Sequence, residues 1–276
     1  MHGMEVTLPG GLPINGCIER QARFRTITGR VEQSLIEYEM GSDRTGYVTA
    51  VLNSAVDSIG NYSVDATHVA DLCVADRQYL MLRLSAMLNG EQMWIKVNCS
   101  HCGVLFDVET KRCDLPVKAA GQGYPQVNLQ VKEWSIDVRV PTGTDQEHIL
   151  NLTEEQAMQH LLHRCIHSVN GEPPNKEFVN KLTESDIEEI DQALDDASPA
   201  VCNQLLVTCP ECNQEQYAEL DHYELSQTQT NSNFFYDEIH TLASHYHWSE
   251  ASILDLPQTR RHLYLSMIQR SSSMAG

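Results

Sequence analysis

Two short stretches repeat one pattern of paired cysteines: Val97-Asn98-Cys99-Ser100-His101-Cys102-Gly103 and Val207-Thr208-Cys209-Pro210-Glu211-Cys212-Asn213. Strand-forming residues flank each pair, which predicts a strand, a tight turn and a second strand. A two-residue spacer lets both thiolates of such a turn face one cation. Gly103 and Asn213 suit the left-handed backbone that the turn commonly requires. Each stretch is therefore interpreted as a zinc knuckle.

The two knuckles together predict one structural zinc site. One knuckle provides two ligands, whereas a closed tetrahedral site needs four, so we expect one Zn²⁺ bound by Cys99, Cys102, Cys209 and Cys212. The gap between Cys102 and Cys209 far exceeds the roughly 15 to 20 residues of ordinary zinc ribbons. The site therefore requires related halves that bring the knuckles face to face. Separate incomplete sites, or cysteines packed without a metal, are the alternatives.

The spacing of the knuckles belongs to a longer self-similarity. Cys99 and Cys102 recur as Cys209 and Cys212 at one fixed shift along the chain, and nine identities occur in 51 positions aligned at this shift. Chance gives roughly three. The other matching pairs are Leu52 and Leu162, Ser58 and Ser168, Val69 and Val179, Leu72 and Leu182, Asp76 and Asp186, Leu84 and Leu194, and Val97 and Val207. This fixed shift indicates an internal duplication.

The duplication predicts an α+β fold of two strand-helix-knuckle halves, related by a pseudo-twofold axis and sharing one four-cysteine zinc ribbon. We define the first half as residues 1–118 and the second half as residues 119–225. In the first half we expect a strand pair within 5–26 and helices over 31–39, 45–59 and 75–88. In the second half we expect a strand over 134–140, a helix from 145 or 153 to 169, and a helix over 184–194.

The rest of the chain divides into a linker and a helical segment. Residues 226–232 are polar and uncharged, which is typical of a linker. In the C-terminal segment, residues 233–276, apolar residues recur at helical intervals. Ser249 suits a helix start, and Pro257 separates two helices. Because roughly 40 residues bury too little apolar surface to fold alone, the segment must pack on the main body or on a partner.

Composition and charge exclude several classes of protein. The 276 residues carry a formal charge of −19, which opposes binding to nucleic acid or to an anionic membrane surface. No apolar run approaches the roughly 18 residues of a membrane helix, and the first residues do not resemble a signal peptide. Nine cysteines without an export signal favour a reducing compartment and metal ligation over a disulfide framework.

The sequence contains no catalytic constellation. A redox Cys-x-x-Cys enzyme needs an activated thiol at a helix N-terminus, and strand-forming residues follow the first pair instead. The remaining cysteines are interpreted as small buried hydrophobic residues: Cys17, Cys73, Cys113, Cys165 and Cys202. The histidines are expected to be surface or packing residues: His160, His163 and His167 on one helix, and His240, His245 and His247 near Trp248. Asp76 and Asp186 are expected to cap helices, and the acidic run 184–196 to form a solvated helix face.

Several short motifs together resemble one protein family. They are Leu8-Pro9-Gly10-Gly11, Arg25, Thr28-Gly29, Glu32, Asp76-Arg77, Arg83-Leu84, Cys99-x-x-Cys102-Gly103, Pro141-Thr142-Gly143 and Asp145. This set resembles the baseplate and tail-assembly protein family of T4-like contractile phages, with relatives in phage-tail-like injection particles. The resemblance covers residues 5–225. The C-terminal segment looks like a small helical protein often encoded beside such genes, here fused to the body.

The resemblance implies a non-enzymatic structural or assembly protein of a tail baseplate or hub. Its expected partners are other tail or baseplate proteins, including a hub or tape-measure protein, and the C-terminal segment is expected to dock on one of them. Neither nucleic acid nor a membrane is an expected partner. The expected locations are the host cytoplasm during assembly and the virion tail baseplate. The alternative is a zinc-ribbon regulatory protein, or a redox Cys-x-x-Cys protein, of the bacterial cytoplasm.

Overall fold

The computed structural model of the chain combines helices and strands throughout, which confirms the predicted α+β class. It describes residues 4–39, 44–175, 178–223 and 232–274. Of the predicted linker, residues 226–231 lie outside this described part. Of the helices that are described, none is long and apolar enough to cross a membrane.

The first half begins and ends with a β-hairpin. Its strands are β1 (Glu5–Ile14), β2 (Cys17–Phe24), β3 (Val56–Ile59), β4 (Tyr62–Ser63), β5 (Gln92–Asn98), β6 (Leu105–Lys111) and β7 (Val117–Lys118). Its helices are α1 (Gly29–Glu39), α2 (Arg44–Ala55), α3 (Ala66–Asp71) and α4 (Val74–Asn89). The first four strands form an antiparallel sheet in the order β1-β2-β3-β4. The predicted stripe of α4 faces the core beneath this sheet, with Leu80 and Leu84 fully buried.

The second half has a similar order of elements. Its strands are β8 (Gln126–Val131), β9 (Trp134–Arg139), β10 (Ile166–Val169), β11 (Ala200–Val201), β12 (Gln204–Thr208) and β13 (Glu215–Glu219). Its helices are α5 (Gly143–Ile149), α6 (Glu154–Cys165) and α7 (Glu184–Ala197). Its main sheet has the order β8-β9-β10, so β9 pairs with β10 as β2 pairs with β3. In each half, two helices separate the hairpin from the strand that pairs with it next in the sheet.

The structure corrects one predicted boundary in each half. The helix predicted over 45–59 ends at Ala55, and residues 56–59 form β3. The helix predicted to reach residue 169 ends at Cys165, and residues 166–169 form β10. Both strands pair with a hairpin that lies far away in the sequence, so tertiary pairing overrides the local helical pattern.

The start of α4 joins the two halves. Cys73 forms a β-bridge with Thr142, and the Gly143 amide donates to the Leu72 carbonyl at 3.0 Å. The guanidinium of Arg77, which is fully buried, lies so close to Gly143 that a Cβ at this position would overlap it. The close approach therefore requires glycine at the first position of α5.

The C-terminal segment packs on α1. It consists of α8 (Ser232–Tyr246), α9 (Glu250–Leu254) and α10 (Gln258–Met274). Its core combines one residue of α1 with five of the segment: Ile36, Phe235, Ile239, Leu242, Ile253 and Leu254. The Ser249 hydroxyl accepts from the Ser252 amide at the start of α9, and Pro257 separates α9 from α10, as predicted.

The contact between α1 and α10 has the same form as the contact between α5 and α4. Thr28 forms a β-bridge with Pro257, and the Gly29 amide donates to the Leu256 carbonyl at 3.1 Å. The fully buried Arg261 packs over Gly29, with its Nη1 3.1 Å from where a Cβ would lie. This face of the segment therefore docks on the chain's own body, the alternative that the sequence left open. Docking on another tail component stays a prediction for the rest of its surface.

Candidate metal centre

The two knuckles lie at the ends of two facing hairpins. β5 pairs with β6, and β12 pairs with β13. Their inner faces share a small apolar core with Leu82 of α4, including Ile95, Val97, Val207 and Ala218. Because side chains alternate between the faces of a strand, burial of these residues fixes the register of each hairpin. The register in turn determines where the two cysteine turns meet.

The two turns have matching backbone hydrogen bonds. The Cys99 amide donates to the Val104 carbonyl at 2.8 Å, and the Gly103 amide to the Cys99 carbonyl at 2.9 Å. The equivalent bonds from Cys209 and Asn213 measure 2.9 and 3.0 Å. Gly103 and Asn213 have φ values of 75° and 55°, which confirms the predicted left-handed positions. Both turns therefore present their cysteines in the same way.

The four predicted cysteines come together in one cluster. Cys99 Sγ lies 3.6 Å from Cys212 Sγ, and Cys102 Sγ lies 3.7 Å from Cys209 Sγ. All four sulfurs lie within 4.8 Å of one another. A tetrahedral zinc with bonds of about 2.3 Å places its sulfurs about 3.8 Å apart. The donor set and its dimensions therefore fit a four-coordinate metal ion.

The backbone favours the thiolate form of one ligand. The Cys102 amide lies 3.5 Å from Cys99 Sγ, and hydrogen bonding from this amide lowers the pKa of the Cys99 thiol to about 6. In the metal-free protein, the amide therefore shifts Cys99 towards its thiolate form. Since the thiolate is the form that binds metals, the turn prepares this position for ligation.

One glutamine joins the two hairpins beside the cluster. Gln216 of β13 accepts from the Ser100 amide at 2.8 Å and from the Ser100 hydroxyl at 3.1 Å. Its Nε2 donates to the Asn98 carbonyl at 3.1 Å. These bonds hold the second hairpin against the first knuckle without any metal. Sequence reasoning missed this residue, because a single glutamine in a strand has no characteristic spacing.

The five remaining cysteines lie apart from the cluster. Cys73 and Cys165 are buried, as predicted. The prediction is wrong for Cys17 and Cys113, which are exposed, and Cys202 is only half-buried. Cys17 follows the tight turn between β1 and β2, and Cys113 lies in the short 3₁₀ turn Arg112–Asp114, so neither faces an apolar core.

The predicted histidine groups lie on the surface. His160, His163 and His167 are exposed, and the His160 ring stacks on His148 with 6.5 Å between centroids. The histidines near Trp248 are exposed as well: His240, His245 and His247. Within the described residues, the four cysteines are the one group of three or more potential ligand side chains whose donor atoms lie close together.

The two predicted helix-capping aspartates have different roles. Asp186 accepts from the Thr183 amide at 2.7 Å and from Lys132 Nζ at 2.6 Å, which confirms the predicted capping role. Asp76 instead accepts from the Gly10 and Gly11 amides of β1, at 2.8 and 2.7 Å. The prediction for Asp76 is therefore wrong, because its carboxylate satisfies an irregularity in β1. The other acids of α7 are mostly exposed, as predicted.

A buried carboxylate organises the start of α5. Asp145 accepts from Arg139 at 2.5 Å, from Arg164 at 2.8 Å and from the Thr142 amide at 2.9 Å. Burial opposes ionisation, but the hydrogen bonds from Arg139, Thr142 and Arg164 outweigh it and lower the pKa of Asp145. The sequence singles out Asp145 but does not predict its contacts with Arg139 and Arg164, because no regular spacing links the three residues. This network is a structural element of the second half.

The chain matches one protein-family model, described as T4 bacteriophage base plate protein, over residues 3–224. No curated protein and no solved structure matches the chain significantly. The matched region contains all four clustered cysteines, Arg77 with Gly143, and the Asp145 network. The family match covers most of the chain and agrees with the resemblance of the quoted motifs. The chain therefore belongs to the T4 bacteriophage base plate protein family.

Proposed function

We propose that the chain is a non-enzymatic structural or assembly protein of a contractile phage tail baseplate or hub. The observation that carries the proposal is the family match over residues 3–224. The family places the chain among phage tail structural proteins that interact with other baseplate components. We propose the hub or tape-measure protein as a partner, and the same role in a phage-like injection particle. The proposed locations are the host cytoplasm during assembly and then the tail baseplate.

A complementation experiment tests this role. In the phage or particle that encodes the chain, a nonsense mutation early in the gene should prevent formation of complete tails, and the wild-type gene supplied in trans should restore them. Electron microscopy of the lysate measures the fraction of complete baseplates. Complete and infectious tails in the absence of the protein would contradict the proposal.

We also propose that the two halves arose by duplication and are related by a pseudo-twofold axis. The shared order of a hairpin and a third strand in the two main sheets, β1-β2-β3 and β8-β9-β10, supports this proposal. A second observation also supports it: Arg112 and His222 are separated by the same shift as the cysteine pairs, and each contacts a backbone carbonyl at equivalent positions. Arg112 donates to the Gln92 carbonyl at 2.6 Å, and a His222 ring nitrogen lies 2.7 Å from the Cys202 carbonyl. The proposed units are residues 1–118, 119–225, 226–232 and 233–276.

A structural zinc ion is the proposed occupant of the cysteine cluster. Since Cys99 and Cys102 belong to the first half and Cys209 and Cys212 to the second, the metal would connect both halves and stabilise the folded chain. X-ray absorption at the zinc edge should detect four sulfur ligands at about 2.3 Å. A coordination shell with only two sulfurs would contradict a shared site.

The lowered pKa of Cys99 favours one rival function, a thiol oxidoreductase of the Cys-x-x-Cys type. Two observations oppose it: β6 rather than a helix follows Cys102, and two further thiols surround Cys99. Disulfide-reductase turnover distinguishes the two functions. We expect the metal-bound protein to be no faster than a free-thiol control, and turnover above that control would favour the rival.

A further inference from the structure

We infer that a cavity in the first half binds a small oxyanion, meaning a phosphate or carboxylate group. The cavity has a volume of about 330 Å³ and lies between β1, β2, α4 and the turn after β6. Arg20, Arg83 and Arg112 line it, and no aspartate or glutamate does so among the described residues. The chain has only 19 basic side chains against 38 acidic ones, so three arginines at one cavity form a local concentration of positive charge.

Two of these arginines have donors without protein partners. Arg20 is half-buried and makes no hydrogen bond or ion pair with any residue in the described part of the chain. Arg83 contacts Glu91 through Nη2 at 3.3 Å, but its Nε is buried and has no hydrogen-bond partner there. Leaving a donor unsatisfied costs free energy, and an acceptor oxygen in the cavity would satisfy the free donors of Arg20. An anion is the ligand that meets both the charge and the unused donors.

The third arginine is held rigidly. Arg112 is 3% exposed, and its Nε donates to the Ser85 hydroxyl at 3.1 Å. Its Nη1 donates to the Gly90 and Gln92 carbonyls at 2.9 and 2.6 Å. These acceptors are neutral and fix the guanidinium, while the Glu91 carboxylate attracts it from a distance. A preorganised charge at the cavity wall favours binding, because no side-chain entropy is lost there.

The second half lacks this set of charges. At the shift that relates the two cysteine pairs, Arg83 corresponds to Ala193 and Arg112 to His222. Two carboxylates lie near these arginines: Glu91 pairs with Arg83 and attracts Arg112, and Asp76, which accepts from two backbone amides, attracts Arg20. The set of arginines is therefore specific to the first half, and the charged side chains that line the cavity are all positive.

The geometry of the guanidinium group defines the chemical class of the ligand. Its planar N–H donors match the paired oxygens of a carboxylate or a phosphate. A volume of about 330 Å³ reaches the lower end of small-molecule sites, so it accommodates more than a single monatomic ion. The oxyanion could belong to a free phosphate-bearing molecule or to a polycarboxylate, and the two sources are separated by experiment.

Calorimetric titration of the full chain with inorganic phosphate and with citrate, each at constant ionic strength, tests the inference. We expect saturable binding of at least one probe, and at least about tenfold weaker binding in Arg20→Gln, since a charged hydrogen bond is lost. Arg23→Gln is the matched control: it lies on the same strand and removes the same charge, but it pairs with Glu5 at the surface. Binding of phosphate alone would indicate a phosphate ligand, and binding of citrate alone a carboxylate ligand.

A second variant covers the case in which Arg20→Gln changes the fold. Arg83→Gln should also weaken binding, and its melting temperature shows whether the protein remains folded. Absence of binding of both probes at about 10 mM would overturn the inference. Equal weakening by Arg20→Gln and Arg23→Gln would overturn it as well, because it would indicate general attraction to the surface charge.

Discussion

Two joints in this molecule share one backbone design and differ in how they compensate a buried charge. At the start of α5, Gly143 lies under the buried Arg77, and this joint connects the two halves. At the start of α1, Gly29 lies under the buried Arg261, and this joint attaches the C-terminal segment. In both joints the arginine lies four residues after the β-bridge, at Cys73 or at Pro257.

The partners of the two arginines differ. Arg77 donates to neutral oxygens, the Thr49 hydroxyl and the Val69 carbonyl, and burial lowers its pKa. Arg261 donates to the Glu32 carboxylate at 2.6 Å, and Glu238 lies 3.5 Å away. Both joints therefore use the same close packing of a buried arginine over a glycine, but the groups that accept hydrogen bonds from the arginine differ in charge. The C-terminal segment is therefore attached to α1 as α4 is attached to α5.

The largest expected effect on stability comes from the joint at Arg261, where the buried arginine pairs with a carboxylate. Glu32→Gln leaves the buried Arg261 with only the more distant Glu238 carboxylate, so it should lower the free energy of unfolding by about 3 kcal/mol, the lower end of the cost of breaking a buried ion pair. Urea denaturation measures this loss, and Arg30→Gln is the control because Arg30 pairs with Asp255 at the surface of the same interface. A Glu32→Gln variant as stable as the control would show that the carboxylate is not needed there.

An effect no larger than this is expected when alanine replaces either glycine, and its size should differ between the two joints. A Cβ at Gly143 would overlap the Arg77 guanidinium, whereas at Gly29 the nearest atoms are 3.0 to 3.2 Å away. Gly143→Ala should therefore cost about 3 kcal/mol and Gly29→Ala about 1 kcal/mol, since overpacking costs grow with the displacement required. Thermal and urea unfolding of the two variants give the order. Equal costs, or the reverse order, would contradict the steric account of the joints.

The sequence predicted local features well and missed both joints. Short-range patterns predicted the knuckles, the apolar stripe of α4, and the helix starts at Ser249 and after Pro257. The contacts at the two joints were not predicted, because each arginine is far from its glycine in the sequence and no regular spacing links the two. β3 and β10 were missed because no helix breaker separates them from α2 and α6. Each becomes a strand through pairing with a distant hairpin, which local patterns do not encode.

The smallest expected effect on stability concerns α7, the helix that corresponds to α4 under the proposed duplication. At the shift that relates the cysteine pairs, Ile187 matches Arg77, and the neighbouring Asp186 accepts a hydrogen bond from Lys132. The hydrogen bond from Lys132 lowers the pKa of Asp186 to about 2. Because the pKa of an unfolded aspartate is about 4, this stabilisation is complete above pH 4 and disappears as the pH falls through about 2.

Unfolding of the wild type and of Asp186→Asn between pH 2 and pH 6 measures this contribution. The stability difference between the two proteins should be small at pH 6 and should vanish towards pH 2. A difference that grows on acidification would have the wrong sign for a lowered pKa and would contradict the Lys132 contact.

The central claim is that one zinc ion connects the two knuckles, and metal content in paired cysteine variants tests it most directly. Elemental analysis should find about one zinc per chain in the wild type and in Cys17→Ser, whose cysteine is exposed and lies outside the cluster. Cys99→Ser and Cys209→Ser should lose zinc and stability to the same extent, because each removes one ligand of the same ion. Full zinc content and unchanged stability after either substitution would contradict the account.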